Sequence, residues 1–155
     1  STGKVVSQPF TSIVTFGGTH SVPTTVVSDG RIYSTCGELT VPASAAIQAV
    51  IATLTAGKWA VLTVDIKHVS GNLAQLAIGQ AQIQNLIGNY APLLRTGKWK
   101  TIACVAQVEA SGATVMNITN GAAGAQVLRL SAMQVLQFDT EQEAVNFINA
   151  WGFVL

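Results

Sequence analysis

The sequence predicts an all-β protein: an antiparallel β-sandwich closed by one short C-terminal helix. Three observations support this prediction: a turn-and-strand unit that occurs twice, further short β-prone runs separated by turn residues, and a single helix signal near the end. At 155 residues the chain is long enough to bury a core without disulfides. No linker or low-complexity stretch divides it, so we expect residues 1–155 to form a single β-sandwich domain.

The repeated unit begins with a Gly-Lys-Trp turn. Thr55–Trp59 (TAGKW) recurs forty residues later as Arg95–Trp99 (RTGKW). Each copy opens an apolar run, which is followed by a Ser-Gly pair, Ser70-Gly71 or Ser111-Gly112, and then by a second run. We interpret each unit as a strand–turn–strand hairpin, and expect the two related hairpins to pack face to face.

The N-terminal part contains two further β-prone runs, Ser12–Phe16 and Thr24–Val27, separated by a loop rich in Gly, Thr and Pro. Asp29-Gly30 then gives a hairpin signal, because this dipeptide suits the positive backbone angles of tight turns. Arg31–Cys36 is the predicted returning strand.

The segment Pro42–Leu54 is ambiguous. Its apolar residues fall partly at helical spacing, and Pro42 suits a first helical turn. The same segment is compatible with a half-buried strand over Gln48–Thr55 that leads into the first Gly-Lys-Trp turn. We favour the strand because a similar run, Gln82–Ile87, precedes the second copy.

The C-terminal part combines a long strand with the only clear helix signal. Gln126–Phe138 is the predicted strand, bent or bulged near Ser131. Thr140 and Glu143 form a capping box at the start of the helix. Gly152 ends the helix, which should lie like a lid on one end of the sandwich. One apolar face of this helix contains Ala144, Phe147, Ile148 and Trp151.

Composition narrows the possible partners. Only 10% of the residues are charged, against about a quarter in ordinary soluble domains, so we expect part of the surface to be buried against other copies of the chain; the alternative is a neutral monomer surface rich in small polar groups. The net charge is +1 and Lys98 and Lys100 are the only close basic pair, which argues against nucleic-acid binding. No apolar stretch reaches the length of a membrane span, so we expect no membrane insertion.

The chain lacks an initiator Met and is expected to be a fragment or a processed product, for example the C-terminal part of a longer protein.

The cysteines and histidines give no metal-site pattern. Cys36 and Cys104 are far apart in sequence and form no CxxC motif, and His20 and His68 are distant from both. We predict no metal site and no cofactor. Cys104 is expected to be a buried apolar residue, while a disulfide between the two cysteines is left open.

No set of residues has the pattern of a catalytic site. Asp65 and Glu109 occupy nearly matching places in the two repeats, but both are expected to be solvated on outward strand positions. His68 is expected to be exposed at a turn, and no nucleophile elbow is present. We therefore predict that this chain is not an enzyme, with hydrolysis by Asp65 and Glu109 as the least favoured alternative.

Ligand binding is the remaining class of function. Trp59 and Trp99 share one repeat position and are expected to anchor the core or the turns. Tyr90 lies in a loop and is the predicted exposed aromatic on which a sugar ring could stack. The complete set of candidate ligand contacts is Tyr90, Asn89, Arg95 and His20.

Three parts of the chain resemble known families. Leu54–Lys67 and Thr96–Thr101 resemble the turn-and-strand signatures of jelly-roll carbohydrate-binding modules, and Leu128–Phe138 with the Thr140–Gly152 helix is similar to the closing segments of bacteriophage tail-fibre and tailspike domains. The resemblance implies an antiparallel jelly-roll β-sandwich. It further implies a non-catalytic receptor-binding domain that binds a host cell-surface glycan or polysaccharide. Such a domain would be homotrimeric and extracellular, on the tail of the virion.

A structural role is the alternative to recognition. The chain could serve as a trimerisation or folding cap that binds no sugar. In either case the resemblance places any hydrolase activity of the whole protein in another part of it.

Overall fold

The computed structural model describes residues 4–5, 15–18, 20–29, 34–73, 75–78 and 89–150. These residues form eleven strands, one short 3-10 turn at Ala91–Leu93 and one α-helix, α1 (Glu141–Ala150). In chain order the strands are β1 (Lys4–Val5), β2 (Thr15–Gly18), β3 (Val22–Pro23), β4 (Thr25–Val27), β5 (Cys36–Val41), β6 (Ala45–Leu54), β7 (Trp59–Gly71), β8 (Gln75–Ile78), β9 (Trp99–Gln107), β10 (Gly112–Asn120) and β11 (Gln126–Phe138).

The strands form two antiparallel sheets packed against each other. Sheet A has the order β4-β5-β11-β7-β9, with β1 beside β11, and sheet B has the order β3-β2-β6-β10-β8. Inward side chains of both sheets form one apolar core, in which Phe16, Ile51 and Met116 come from sheet B and Leu39 and Ile66 from sheet A. The predicted all-β antiparallel sandwich with one short C-terminal helix is confirmed.

The ambiguous segment before the first turn is a strand. Strand β6 runs over ten residues and pairs with β10 along its length. Its side chains alternate between buried and exposed over most of that length, which is the period of a strand with one face on the core. The predicted strand is therefore correct and the helical alternative is wrong. The comparable run before the second copy, Gln82–Ile87, lies outside the described residues.

The bulge prediction is confirmed, whereas the hairpin prediction is confirmed only as an antiparallel strand pair: Val27 lies opposite Cys36, so a tight turn at Asp29-Gly30 does not join the two strands. Strands β4 and β5 pair antiparallel, but the returning strand starts at Cys36 rather than Arg31, and residues 30–33 are not among those described. Strand β11 pairs with β7 through a register shift between Ser131 and Gln134. Ala132 lies within that irregularity and has a φ of +51°.

The two Gly-Lys-Trp turns have the same backbone geometry. Gly57 and Gly97 have φ angles of +84° and +80°, the left-handed region that glycine occupies at the third position of a type II turn. In each turn the lysine N–H donates to the carbonyl three residues earlier, at 3.3 Å and 3.0 Å respectively. Gly57 N–H also donates to the carbonyl of Val108, and Gly97 N–H to that of His68. Each turn is thus tied to the end of the neighbouring strand.

The repeated strands lie side by side in one sheet. Strand β7 pairs antiparallel with β9, so that Trp59 faces Gln107 and Trp99 faces Lys67. The following strands, β8 and β10, lie in sheet B and pair with each other. Each unit therefore crosses from one sheet to the other. The predicted hairpins packed face to face are wrong, because both first strands of the repeat belong to sheet A.

The C-terminal helix packs on the outer face of sheet A instead of covering one end of the sandwich. Ala144 and Ile148 of α1 are completely buried against Val61, Leu136 and Phe138. The helix starts as predicted: Glu143 N–H donates to the Thr140 hydroxyl at 3.2 Å, and that hydroxyl donates to the Glu143 carboxylate. The predicted last residues of the helix face and its cap, Trp151 and Gly152, are outside the described residues.

Candidate functional site

The outer faces of the two sheets differ in what covers them. Helix α1 covers one end of sheet A, at the start of β7 and the ends of β9 and β11. In the part of the chain that the structure describes, no helix lies on sheet B, and the outward residues of β6 are exposed. The outward side chains of β6, on the outer face of sheet B, are therefore within reach of an external ligand.

A row of polar and small residues crosses this face of sheet B. Gly17 pairs with Gln48, Gln48 with Asn117, and Asn117 with Ala77, so the four residues lie side by side on neighbouring strands. With strands about 4.8 Å apart, the row is about 14 Å long. We call Gly17, Gln48, Asn117 and Ala77 the amide row.

The amide row has open space above its Gly17 end. A Cβ atom added at Gly17 would have no heavy atom within 4 Å, so the space above this glycine is open. On one side the next residues across the sheet are Ala46, Thr119 and Gln75. On the other side is Val50, whose side chain is 51% exposed. Small residues thus flank two adjacent amides that can both donate and accept hydrogen bonds.

The uncovered part of sheet A carries a network of charged side chains. Asp29 Oδ2 accepts from Arg129 Nη1 at 2.6 Å and from Lys67 Nζ at 3.0 Å, and Arg129 Nε donates to Glu38 Oε2 at 2.7 Å. The hydrogen bonds from Arg129 and Lys67 hold the pKa of Asp29 below its usual value. The two carboxylates in turn raise the pKa of Arg129. These four residues form a closed set of partners that joins β5, β7 and β11 to the turn after β4.

Trp99 lies beside this network at the start of β9. Its indole is partly buried, and Lys67 Nζ lies 5.8 Å from the ring centroid. Two residue pairs further along the strands, the Thr101 hydroxyl donates to Asp65 Oδ1. Asp65 points outward as predicted, but its expected solvation is wrong: only 2% of the residue is exposed.

The two carboxylates of the hydrolase alternative are far apart. Asp65 pairs with Thr101, and Glu109 follows eight residues later along β9 and its continuation. At about 3.3 Å per residue the two positions are about 25 Å apart along the strand direction. A pair of glycosidase carboxylates is separated by about 5–10 Å, so Asp65 and Glu109 do not form one.

His68 is buried, and its predicted exposure is wrong. Only 2% of the residue is exposed, because it faces the interior near the end of β7. Its Nδ1 lies 2.8 Å from the hydroxyl of Thr96, and its carbonyl accepts from Gly97 N–H. His68 therefore supports the second Gly-Lys-Trp turn from inside the protein.

Tyr90 was predicted to be an exposed aromatic, but its ring packs against the core. Its hydroxyl lies 3.3 Å from Cys104 Sγ, and burial raises the pKa of Tyr90. The preceding Asn89 accepts backbone N–H groups of Leu76 and Ala91 through its side-chain oxygen, at 3.3 Å and 3.0 Å. Both side chains hold the loop to the sandwich. The Tyr90 ring and the Asn89 side-chain oxygen, which the sequence suggested for a ligand, are therefore used in packing and in capping the backbone.

The other two predicted contacts are exposed but separate. Arg95 is the first residue of the second Gly-Lys-Trp turn, next to sheet A. His20 lies between β2 and β3 at one edge of sheet B, whereas Asn89 bonds to β8 at the opposite edge. Three strand spacings, about 14 Å, separate β2 from β8. The four predicted residues therefore do not form one site, and a ligand contact by any of them stays a prediction.

The amide row was not found from the sequence. Gln48 falls in the segment whose secondary structure was ambiguous, and Asn117 is one of several polar residues in β10. The signal that could have placed Gln48 on the outward face is its position between Ile47 and Ala49, which have the two-residue spacing of a buried strand face, but the sequence does not reveal that Gln48 and Asn117 are neighbours.

The described residues contain no cluster of three or more His, Cys, Asp or Glu side chains that could hold a metal ion. Cys36 and Cys104 are both free thiols, and burial raises the pKa of each. Cys104 is partly buried rather than fully so. None of the described helices has the length and apolar character needed to cross a membrane.

Comparisons with known proteins reveal similar structures but no similar sequences. No family model and no curated protein matches the chain. The CBM22-1 xylan-binding domain from Paenibacillus barcinonensis Xyn10C is similar in structure, with a TM-score of 0.61 at 12% identity over 89% of this chain and 97% of that domain. The N-terminal cellulose-binding domain of Cellulomonas fimi β-1,4-glucanase C has a TM-score of 0.53 at 15% identity, over 79% of this chain and 86% of that domain.

A third similar structure is an arabinose-bound α-L-arabinofuranosidase, with a TM-score of 0.61 at 11% identity over 86% of this chain. Our chain spans only 26% of that protein. At these identities the similarity defines the fold alone. It is the jelly-roll β-sandwich of carbohydrate-binding modules, as the sequence predicted.

Proposed function

We propose that this chain is a non-catalytic carbohydrate-binding domain whose ligand lies across the outer face of sheet B. The amide row carries this proposal. It combines Gln48 and Asn117, which can bond sugar hydroxyls, with Gly17 and Ala77, which leave room for a chain of sugar rings. The open space above Gly17 favours an extended ligand that crosses the strands.

The similar structures support a polysaccharide as the ligand. Two of them are a xylan-binding and a cellulose-binding domain, and both match almost their full length to this chain. The described outward positions of sheet B include no aromatic side chain. We therefore propose that binding depends on hydrogen bonds to the hydroxyls of a neutral polysaccharide more than on stacking.

Titration with soluble xylan and with cello-oligosaccharides tests the proposal. The double variant Gln48→Ala/Asn117→Ala should bind at least about tenfold more weakly than the parent, because it loses both amides that would bond the ligand. The matched control is Gln107→Ala, at the exposed end of β9 in sheet A, which should bind like the parent. A parent chain that binds no polysaccharide, or a double variant that binds normally, would contradict the site.

A second variant tests the room above the amide row. Gly17→Leu places a side chain in the open space without a positive φ angle to strain it. We expect it to block binding while the temperature of unfolding changes little. Unchanged binding by Gly17→Leu would mean that the ligand does not cross β2.

The finer parts of the sequence-based prediction stay predictions. They are the bacteriophage tail-fibre or tailspike context, the virion location and the homotrimer, and we propose them only as one setting in which such a domain could act. A solution mass of three times 16.1 kDa would favour the trimer, and a monomeric mass would contradict it. A trimer that binds no glycan would favour the structural cap instead.

A further inference from the structure

The second Gly-Lys-Trp turn gathers basic side chains at one end of sheet A. Arg95, Lys98 and Lys100 are three of the eight basic residues of the chain, and all three are exposed. Arg95 and Lys98 occupy the first and last positions of the turn, whose ends lie within about 7 Å at Cα. Lys100 points away from the outer face, at the rim of the sandwich, because it follows Trp99 on the strand.

These three cations have no acidic side-chain partner among the described residues. All seven carboxylate side chains lie in that part of the chain, and no ion pair there joins one of them to Arg95, Lys98 or Lys100. Unpaired like charges held together attract an anion from solution. The first turn differs, because its Lys58 forms an ion pair with Asp139.

The same end of sheet A offers an aromatic plane. Trp99 follows the turn directly and its indole is partly exposed. Lys67 lies near the ring, but its charge is already used by the Asp29 carboxylate at 3.0 Å. The cations without a carboxylate partner are therefore Arg95 and Lys98 on the turn, next to Trp99 in the chain, and Lys100 at the rim.

We propose that this surface is a second ligand site, distinct from the amide row, and that it binds an acidic polysaccharide whose sugars carry carboxylates. Arg95 and Lys98 on the turn that leads into the indole, with Lys100 at the rim, fit a polymer that presents a charge on successive rings, with one ring against Trp99 and carboxylates near Arg95 and Lys98. Arg95 can bond a carboxylate through two parallel N–H groups.

The test uses polygalacturonate as the probe and highly methyl-esterified polygalacturonate as the uncharged match. The parent should bind the charged polymer at least about tenfold more tightly than the esterified one. Raising the salt from about 0.05 M to about 0.5 M should remove most of this preference, because screening shortens the reach of exposed charges. Equal binding of the two polymers, or no binding of either, would overturn the proposal.

Variants locate the site. Arg95→Gln/Lys98→Gln should lose about tenfold or more in affinity for polygalacturonate, whereas Lys58→Gln, at the matched position of the first turn, should not. Arg95 and Lys98 are exposed, so their variants are expected to fold. Trp99→Ala should also weaken binding, at high as well as at low salt concentration. Normal binding by Arg95→Gln/Lys98→Gln would overturn the proposal.

Two further arms distinguish this site from the amide row and from a surface that binds any polyanion. Gln48→Ala/Asn117→Ala should bind polygalacturonate normally, and a loss there would mean that the acidic polymer uses sheet B, against our proposal. If the parent failed to bind xylan, that result would contradict the proposed function of the amide row but not the proposed acidic-polysaccharide site. A single-stranded DNA oligonucleotide that binds as tightly as polygalacturonate would overturn the choice of a glycan as the ligand.

Discussion

The two Gly-Lys-Trp turns have the same local structure but different surroundings. Trp59 and Trp99 begin neighbouring antiparallel strands, so the turns lie at opposite ends of one strand pair. Around Trp59, helix α1 and Phe138 make a small second core, and Lys58 pairs with Asp139. Around Trp99 the sheet stays uncovered by any described helix. The same motif can therefore support packing in one copy and leave a surface for ligands in the other.

The largest effect on the free energy of unfolding should come from weakening the packing of helix α1 beside the first turn. Ile148 is completely buried between α1 and sheet A, so Ile148→Ala should lower the free energy of unfolding by about 2–5 kcal/mol. Asn149→Ala, at an exposed position of the same helix, is the control and should change it by less than about 0.5 kcal/mol. Urea unfolding measures both. Equal values would mean that the helix adds no buried contact at this end.

A direct comparison of the two tryptophans should give the next largest difference. Trp59→Ala should cost about 2–3 kcal/mol, because the ring packs in the second core, though it is not fully buried. Trp99→Ala should cost about 1 kcal/mol, because its partly exposed ring loses mainly its contact with Lys67. The unfolding free energies of the two variants test the ranking. A larger loss for Trp99→Ala would reverse the comparison.

The glycines of the turns should respond alike. Gly57→Ala and Gly97→Ala each force a left-handed angle on alanine, at a cost of about 1–2 kcal/mol, and neither new Cβ would meet a heavy atom within 4 Å. Similar losses in thermal or urea unfolding would show that backbone geometry alone sets the effect. A clear difference between the two variants would indicate that the surroundings of the turns contribute.

The smallest effect concerns the stability of the uncovered end in acid. Because its folded pKa is lowered, Asp29 adds stability that is present above its ordinary pKa of about 4 and is lost as the pH falls through the folded pKa. Asp29→Asn should therefore lose less stability than the parent between about pH 5 and pH 2.

Arg129→Gln checks the cause of that shift. It removes the largest influence on Asp29, so the carboxyl pKa, followed by NMR, should move back toward its ordinary value. An unchanged Asp29 pKa in this variant would mean that another group lowers it.

Local patterns were sufficient to predict many of the elements. The duplicated turns, the strand β6, the bulge in β11 and the capping box of α1 each depend on a few neighbouring residues, and each appears in the structure. Properties that depend on distant residues were predicted poorly. Asp65 and His68 were expected to be exposed, but the pairing of β7 with β9 and β11 buries both.

The candidate sites show the same division. Arg95 could be identified from the sequence as an exposed basic residue, since its turn is local. Tyr90 could not be assigned correctly, because its contact with Cys104 joins residues fourteen positions apart. Gln48 and Asn117 become neighbours only when β6 pairs with β10.

The sequence by itself determined the all-β class, the turns and the C-terminal helix, since backbone angles and side-chain alternation are set by adjacent residues. Only the tertiary structure decided which strands are neighbours, and therefore that the two repeats share sheet A and that α1 covers just one of them. The physical reason is that strand pairing is a long-range choice. It is fixed by how all the apolar faces are buried together, and no single segment specifies it.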